Sequence, residues 1–267
     1  MPHEQADDPG EGKEFSPERV EVFWESMEVE IERYFTELLT EKMRKSEERE
    51  EKIKEEIEGC VEREKQFVLK MFEVIEKVVA AHAGERVILF DIDETIGSAV
   101  MGADKRLSKT VMRPSLLPLL EKLRSIKCEI GFLTSRGDGY LREQLEDPQN
   151  IGAIKEYVDP RRVYSSGGVQ TKDSSRFLES VSKSFSDVID TKLIDPELRE
   201  SMGVAVIGAQ QKIPVIKDIK AGLPSGAALV VVDDLEYPRF LNNANGVYGV
   251  DLSEGGMFAL PMSFKYD

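Results

Sequence analysis

The stretch Val87-Ile88-Leu89-Phe90 constrains this chain more than any other, because an apolar run of strand length ends abruptly in Asp91 and Asp93. A short run of this kind, rich in β-branched residues and followed by polar ones, reads as a buried central strand of an α/β sheet. Ligands of such sheets bind outside the carboxyl ends of the strands, where the two acids would stand. Residues i and i+2 of a strand share a face, so the two carboxylates repel unless a cation lies between them or the chain turns after Asp91. Both outcomes suit a site with one carboxylate as nucleophile and another as acid/base beside a hard metal. A strand followed by an acidic turn and a helix N-cap is the plainer alternative.

Two further apolar runs end in polar residues. Residues 128–133 stop at Thr134-Ser135-Arg136, and residues 227–232 stop at Asp233-Asp234, with Lys217 upstream. Phosphoryl transfer calls for a nucleophile, a donor to an equatorial oxygen, a cation from the protein and acids for Mg²⁺. Asp91, Thr134, Lys217 and Asp233 supply these in order. Between them, strand-like runs alternate with helical ones: strands at 87–90, 128–133, Val163-Tyr164, 227–232 and 247–250, helices from Pro114 and Tyr140. That alternation predicts a doubly wound, Rossmann-like parallel sheet.

The ordered set resembles the four motifs of the haloacid dehalogenase superfamily: a strand ending in DxDx[TV], a strand ending in Thr or Ser, a Lys, and a strand ending in paired acids. The wording of Asp91-Ile92-Asp93-Glu94-Thr95-Ile96, Arg113-Pro114, Leu133-Thr134-Ser135 and Lys217-Asp218-Ile219 is most similar to the phosphatases of the RNA polymerase II C-terminal domain and their small relatives. This resemblance covers about residues 86–250, apart from 150–212. It implies catalysis by Asp91 as nucleophile and Asp93 as acid/base, with Thr134 and Lys217 holding the phosphoryl group and Ser135 and Arg136 at the mouth. It also implies Mg²⁺ held by Asp91, Asp93, Asp233 and Asp234. Arg113 and Asp138 rank behind these. The absence of clustered histidines agrees with Mg²⁺ rather than zinc.

The chain carries a net charge of −15, with 25 acids against 13 bases in residues 1–85. So acidic a surface repels nucleic acid and anionic lipid, and no apolar stretch has the length of a membrane span. The polar N-terminus lacks the pattern of a secretory signal and the two cysteines give no disulfide framework, so a cytoplasmic location is expected. Residues 1–15 read as a disordered acidic tail, 16–82 as one long helix or a helical hairpin, and 83–267 as the catalytic domain. In the helical part Val20, Trp24, Met27, Ile31, Tyr34 and Leu38 step by 4 and 3, which is a coiled-coil seam. The seam predicts a homodimer or a partner helix, and a protein starting near Ala83 that retains activity; packing of the same face on the catalytic domain is the alternative.

Only 17 residues separate Thr95 from Arg113, enough for a flap and too few for a helical cap. An open crevice favours a phosphate carried on a phosphoprotein or other large substrate, since small metabolites usually need closure. A metabolite or nucleotide phosphatase, or a coiled-coil scaffold that binds a phosphorylated partner without turnover, are the competing readings.

Overall fold

The computed structural model describes residues 15–43, 50–101, 107–166, 187–190, 193 and 212–260. Residues 1–14 of the expected acidic tail, and most of the stretch from 167 to 211, lie outside them; Phe15, expected at the end of that tail, is instead 1% exposed. Two long helices come first, α1 (Pro17–Met43) and α2 (Glu50–Ala81). There follow β1 (Arg86–Phe90), an antiparallel hairpin of β2 (Gly97–Met101) and β3 (Leu107–Met112), α3 (Leu116–Ser125), β4 (Glu129–Thr134), α4 (Asp138–Glu146), β5 (Val163–Ser165), α5 (Lys212–Gly222), β6 (Ala228–Asp233) and β7 (Val247–Asp251). The hairpin fills the short interval in which a flap was expected. Among the described residues no helix is long and apolar enough to cross a membrane.

The main sheet has the order β5-β4-β1-β6-β7, and every pairing is parallel. Its strands are apolar on both sides because both faces are covered. Ile88, Phe90, Phe132, Val230 and Val232 face one apolar cluster shared with α1, α2 and α3. Val87, Leu89, Leu229 and Val231 face a second, shared with Ile213, Ile216 and Ile219 of α5. The period-2 alternation thus divides each strand between two cores.

At Gly249 in β7 a Cβ atom would stand 1.8 Å from the Pro238 carbonyl oxygen. Only glycine admits that approach, which seats the 3₁₀ turn Tyr237–Phe240 against the strand.

α1 and α2 pack together, and their buried residues belong to the same cluster as the sheet. Val20, Trp24, Met27 and Ile31 are buried as the seam requires, but the row continues through Phe35 and Leu39, while Tyr34 and Leu38 are half-buried. Steps of 4 in place of 3 follow the straight-helix period of 3.6, so this face serves an ordinary helix layer instead of a supercoil. In α2 a broad face that includes Phe67, Val68, Met71, Phe72 and Ile75 is fully buried. Phe72 meets Phe15 and Phe23 with ring centroids 4.9 and 5.0 Å away.

A buried polar network pins α2 to the rest of the chain. Glu64 accepts hydrogen bonds from the Ser115 hydroxyl and backbone N–H, and lies 3.5 Å from Nε of Arg113. The Arg113 guanidinium stacks 3.7 Å from the Phe67 ring centroid and donates to the Gly256 carbonyl at 2.6 Å. Burial holds its pKa down at about 10, against which Glu64 acts. Arg113 is therefore a core residue, 2% exposed beneath α2. Breaking such a pair from one side typically costs about 3–5 kcal/mol, because the surviving charge stays buried.

Removing the first 82 residues would uncover Ile88, Phe90 and Val230 and leave Arg113 without its carboxylate. Each large apolar side chain so exposed forfeits about 1.5–3 kcal/mol. A protein starting at Ala83 is expected to aggregate, as read by light scattering. A soluble monomer that unfolds cooperatively would refute the shared core.

Candidate functional site

The site forms where β1 and β6 end. Phe90 is level with Val232, and the ladder runs one residue further through a bond from Asp91 N–H to the Val232 carbonyl at 2.9 Å. Asp91 and Asp233 consequently stand side by side, 6% and 0% exposed. With Asp234 they bring one carboxylate oxygen each to within 4.8 Å of one another.

Among the described residues one cation answers them. Lys212, the first residue of α5, donates from Nζ to Asp233 Oδ2 at 2.6 Å and lies 3.0 Å from Asp91 Oδ1. Asp233 is further held by the Tyr237 hydroxyl, which donates to Oδ2 at 2.8 Å, and by the Leu235 N–H, which donates to Oδ1 at 3.0 Å. Burial pushes the Asp91 carboxyl up to about 6, with Lys212 opposing and Asp233 adding to the rise. Asp234 is raised to about 8 by burial and by the charges of Asp233 and Asp91. Burial alone would lower the Lys212 ammonium, yet Asp233 and Asp91 outweigh it and raise its pKa. Burial, and then Asp233, push the Tyr237 phenol well above its ordinary range, so it remains a donor.

Three acids around one ammonium leave an excess of negative charge in a dry site. Asp91 Oδ1 is buried, and among the described residues the Lys212 ammonium, 3.0 Å away, is what faces it. Three carboxylates with one oxygen each within 4.8 Å, gathered about one ammonium, are hard-oxygen ligands that fit a cation such as Mg²⁺.

Asp93 stands apart from the three. After Ile92 the chain turns sharply: Glu94 N–H donates to Gly97 O at 2.8 Å, Ile96 N–H to Ile92 O at 3.1 Å, and Glu94 takes a left-handed φ of 55°. The Glu94 carbonyl accepts from Phe258 N–H at 2.6 Å, which fixes a conformation that side chains other than glycine seldom adopt. This turn aims Asp93 at Arg136. The guanidinium donates to both of its carboxylate oxygens, from Nε at 2.9 Å and from Nη2. Nη1 donates to Gln144 Oε1. All three nitrogens are engaged, so Arg136 does not present a free fork to a substrate, contrary to expectation from the sequence.

Thr134 ends β4, beside β1, and is fully buried; its hydroxyl accepts from Arg136 N–H at 3.3 Å. Ser135 is exposed next to it, and Asp138 is exposed at the start of α4.

Lys217 is not brought to the site. Its Nζ lies 4.0 Å from Asp187, and Lys212 stands where Lys217 was expected. Helix geometry gives the reason: five residues advance about 7.5 Å along the axis and rotate roughly 140° around it. Only the N-terminal end of α5 meets the carboxyl edge of the sheet. Pro214 carries the signal, since proline is tolerated in a first turn and so marks Lys212 as the helix start. Tyr237 was also missed, and no period in the sequence announces a hydroxyl on a 3₁₀ turn.

Comparison with protein families, with curated proteins and with solved structures finds no match to this chain.

Two outcomes follow from the cluster. Lys212→Met removes the one ammonium that the described residues bring to the cluster and is expected to destabilise the fold by roughly 3–5 kcal/mol at neutral pH, whereas Lys217→Met costs under about 0.5 kcal/mol. Denaturant titration distinguishes them, and equal losses would contradict the placement of α5. For pH the sign is set by carboxyls whose folded pKa is raised: the stability they contribute is complete below about 3.8 and is lost as pH rises through about 6 for Asp91 and about 8 for Asp234. In chelator, melting temperature should therefore fall between pH 4 and about 8, and Mg²⁺ should raise it more at the alkaline end than at the acid end. A Mg²⁺ effect independent of pH would contradict this.

Proposed function

We propose that the protein is a Mg²⁺-dependent phosphatase of the haloacid dehalogenase type, hydrolysing a phosphomonoester through an aspartyl-phosphate on Asp91. The observation that carries the reading is the single ammonium of Lys212, shared by Asp91 and Asp233 at the carboxyl edge of a parallel sheet. A carboxylate at the end of a central strand, with a lysine fixed against it, is arranged for in-line attack on phosphorus. Lys212 takes the role expected of Lys217: it orients the nucleophile and neutralises charge that builds on the phosphoryl oxygens.

Asp233 acts mainly on Lys212, because its two oxygens already accept three donors. Mg²⁺ would be held by Asp91 and Asp234, with Asp233 beside them and the Asp93 carbonyl in the position the family resemblance implies, and would supply positive charge to the phosphoryl oxygens. Thr134, at the neighbouring strand end, offers its hydroxyl to an equatorial oxygen. Asp93 serves as the acid/base. The short interval that the β2–β3 hairpin fills leaves no room for a helical cap there, which favours a phosphate borne by a protein or another large molecule.

Asp91→Asn keeps shape and removes the nucleophile. Phosphatase activity on a panel of phosphopeptides and phosphometabolites, measured with Mg²⁺ and with EDTA, is expected in the native protein with Mg²⁺ alone. It should fall by roughly four to six orders of magnitude in the variant, with the fold preserved. Retained activity in purified Asp91→Asn, or full activity in EDTA, would overturn the assignment.

A further inference from the structure

The Asp93 carboxylate is 44% exposed, while the Arg136 side chain that grips it is only 7% exposed. Gln144, itself 4% exposed on α4, takes the remaining arm of the guanidinium. The backbone of Arg136 is fixed as well: its N–H donates to Thr134 Oγ1, and its carbonyl accepts from the Ser165 hydroxyl at 2.6 Å. The fork thus stands on two strand ends and a helix before it reaches Asp93. Such an investment in one partly exposed carboxylate is that of a supporting shell. A carboxylate gripped by an arginine through both oxygens is held in one orientation.

We propose that Arg136, oriented by Gln144, is a positioning residue that holds Asp93 as the base for water in the second half-reaction; this rests on the phosphatase reading above. In the first half-reaction an oxygen of Asp91 bonds to phosphorus, the bond from phosphorus to the ester oxygen breaks, and the electron pair leaves with that oxygen. With an acidic phenol as leaving group no proton is needed there. In the second, a water oxygen bonds to phosphorus and the Asp91–phosphorus linkage breaks. The electron pair returns to the Asp91 carboxylate, and the water proton passes to Asp93. Only the second step depends on Asp93 being placed as a base.

The test uses the full-length protein with Mg²⁺ and 2,4-dinitrophenyl phosphate, comparing native protein with Arg136→Gln, Gln144→Leu and Gln144→Glu. In the first two variants kcat should fall by about 10- to 100-fold, KM should fall with it, and kcat/KM should stay near native. Acid quench and mass spectrometry should then find phosphate accumulated on Asp91. Gln144→Glu keeps an acceptor for Nη1 and should behave as native. Gln144→Leu leaves the Arg136–Asp93 pair in place and carries the test if Arg136→Gln fails to fold. A loss of kcat/KM without phosphorylated Asp91, or no change in kcat, overturns the inference while the phosphatase reading stands. No hydrolysis by native protein overturns that reading, and this inference with it.

Discussion

The repulsion among Asp91, Asp233 and Asp234 is the constraint around which the molecule is organised. Three carboxylates so close, in a site nearly closed to water, would not all ionise without a cation between them. The fold meets this demand twice. It brings the start of α5 to the strand ends so that Lys212 lies against two of the acids, and it seats Tyr237 on Asp233 through the turn that Gly249 admits. The remaining charge excess is what makes a divalent cation chemically reasonable at this place, independently of any resemblance.

Much of this was legible in the sequence, for reasons that differ by element. β1, β4 and β6 are buried on both faces, so each is a continuous apolar run, and the first polar residue after it marks the carboxyl edge. Asp91, Thr134 and Asp233 were found in that way, and parallel register then brings their strands' ends to a common edge. Lys217 is expected where Lys212 stands because the motif wording Lys217-Asp218-Ile219 says nothing about helical phase, a signal that Pro214 carries. Arg136 was read as a ligand for substrate because a sequence shows a charge but not its partner. The partner, Asp93, is 43 residues away and reaches it only through the turn at Glu94. The β2–β3 hairpin was expected only as a flap, since its residues are short of the apolar alternation that announces a strand.

The helical region shows the same limit from the other side. Its 4-and-3 stepping is a sound local signal of a packed face, and the face is packed. What the stepping could not tell was the identity of the neighbour. The drift of the buried row to Phe35 and Leu39, and the doubled width of the α2 face, answer that a single core joins helices and sheet.

The Glu64–Arg113–Gly256 network has a consequence for the order in which the molecule assembles. Arg113 reaches a carbonyl 143 positions further along the chain, and the turn that carries Asp93 is fastened by Phe258. During synthesis, α1 and α2 emerge first and must wait for contacts that do not exist until residues 256–258 have been made. The entropy of closing so large a loop is met late, after the sheet has formed. The helices in the interval are an apolar surface without its cover.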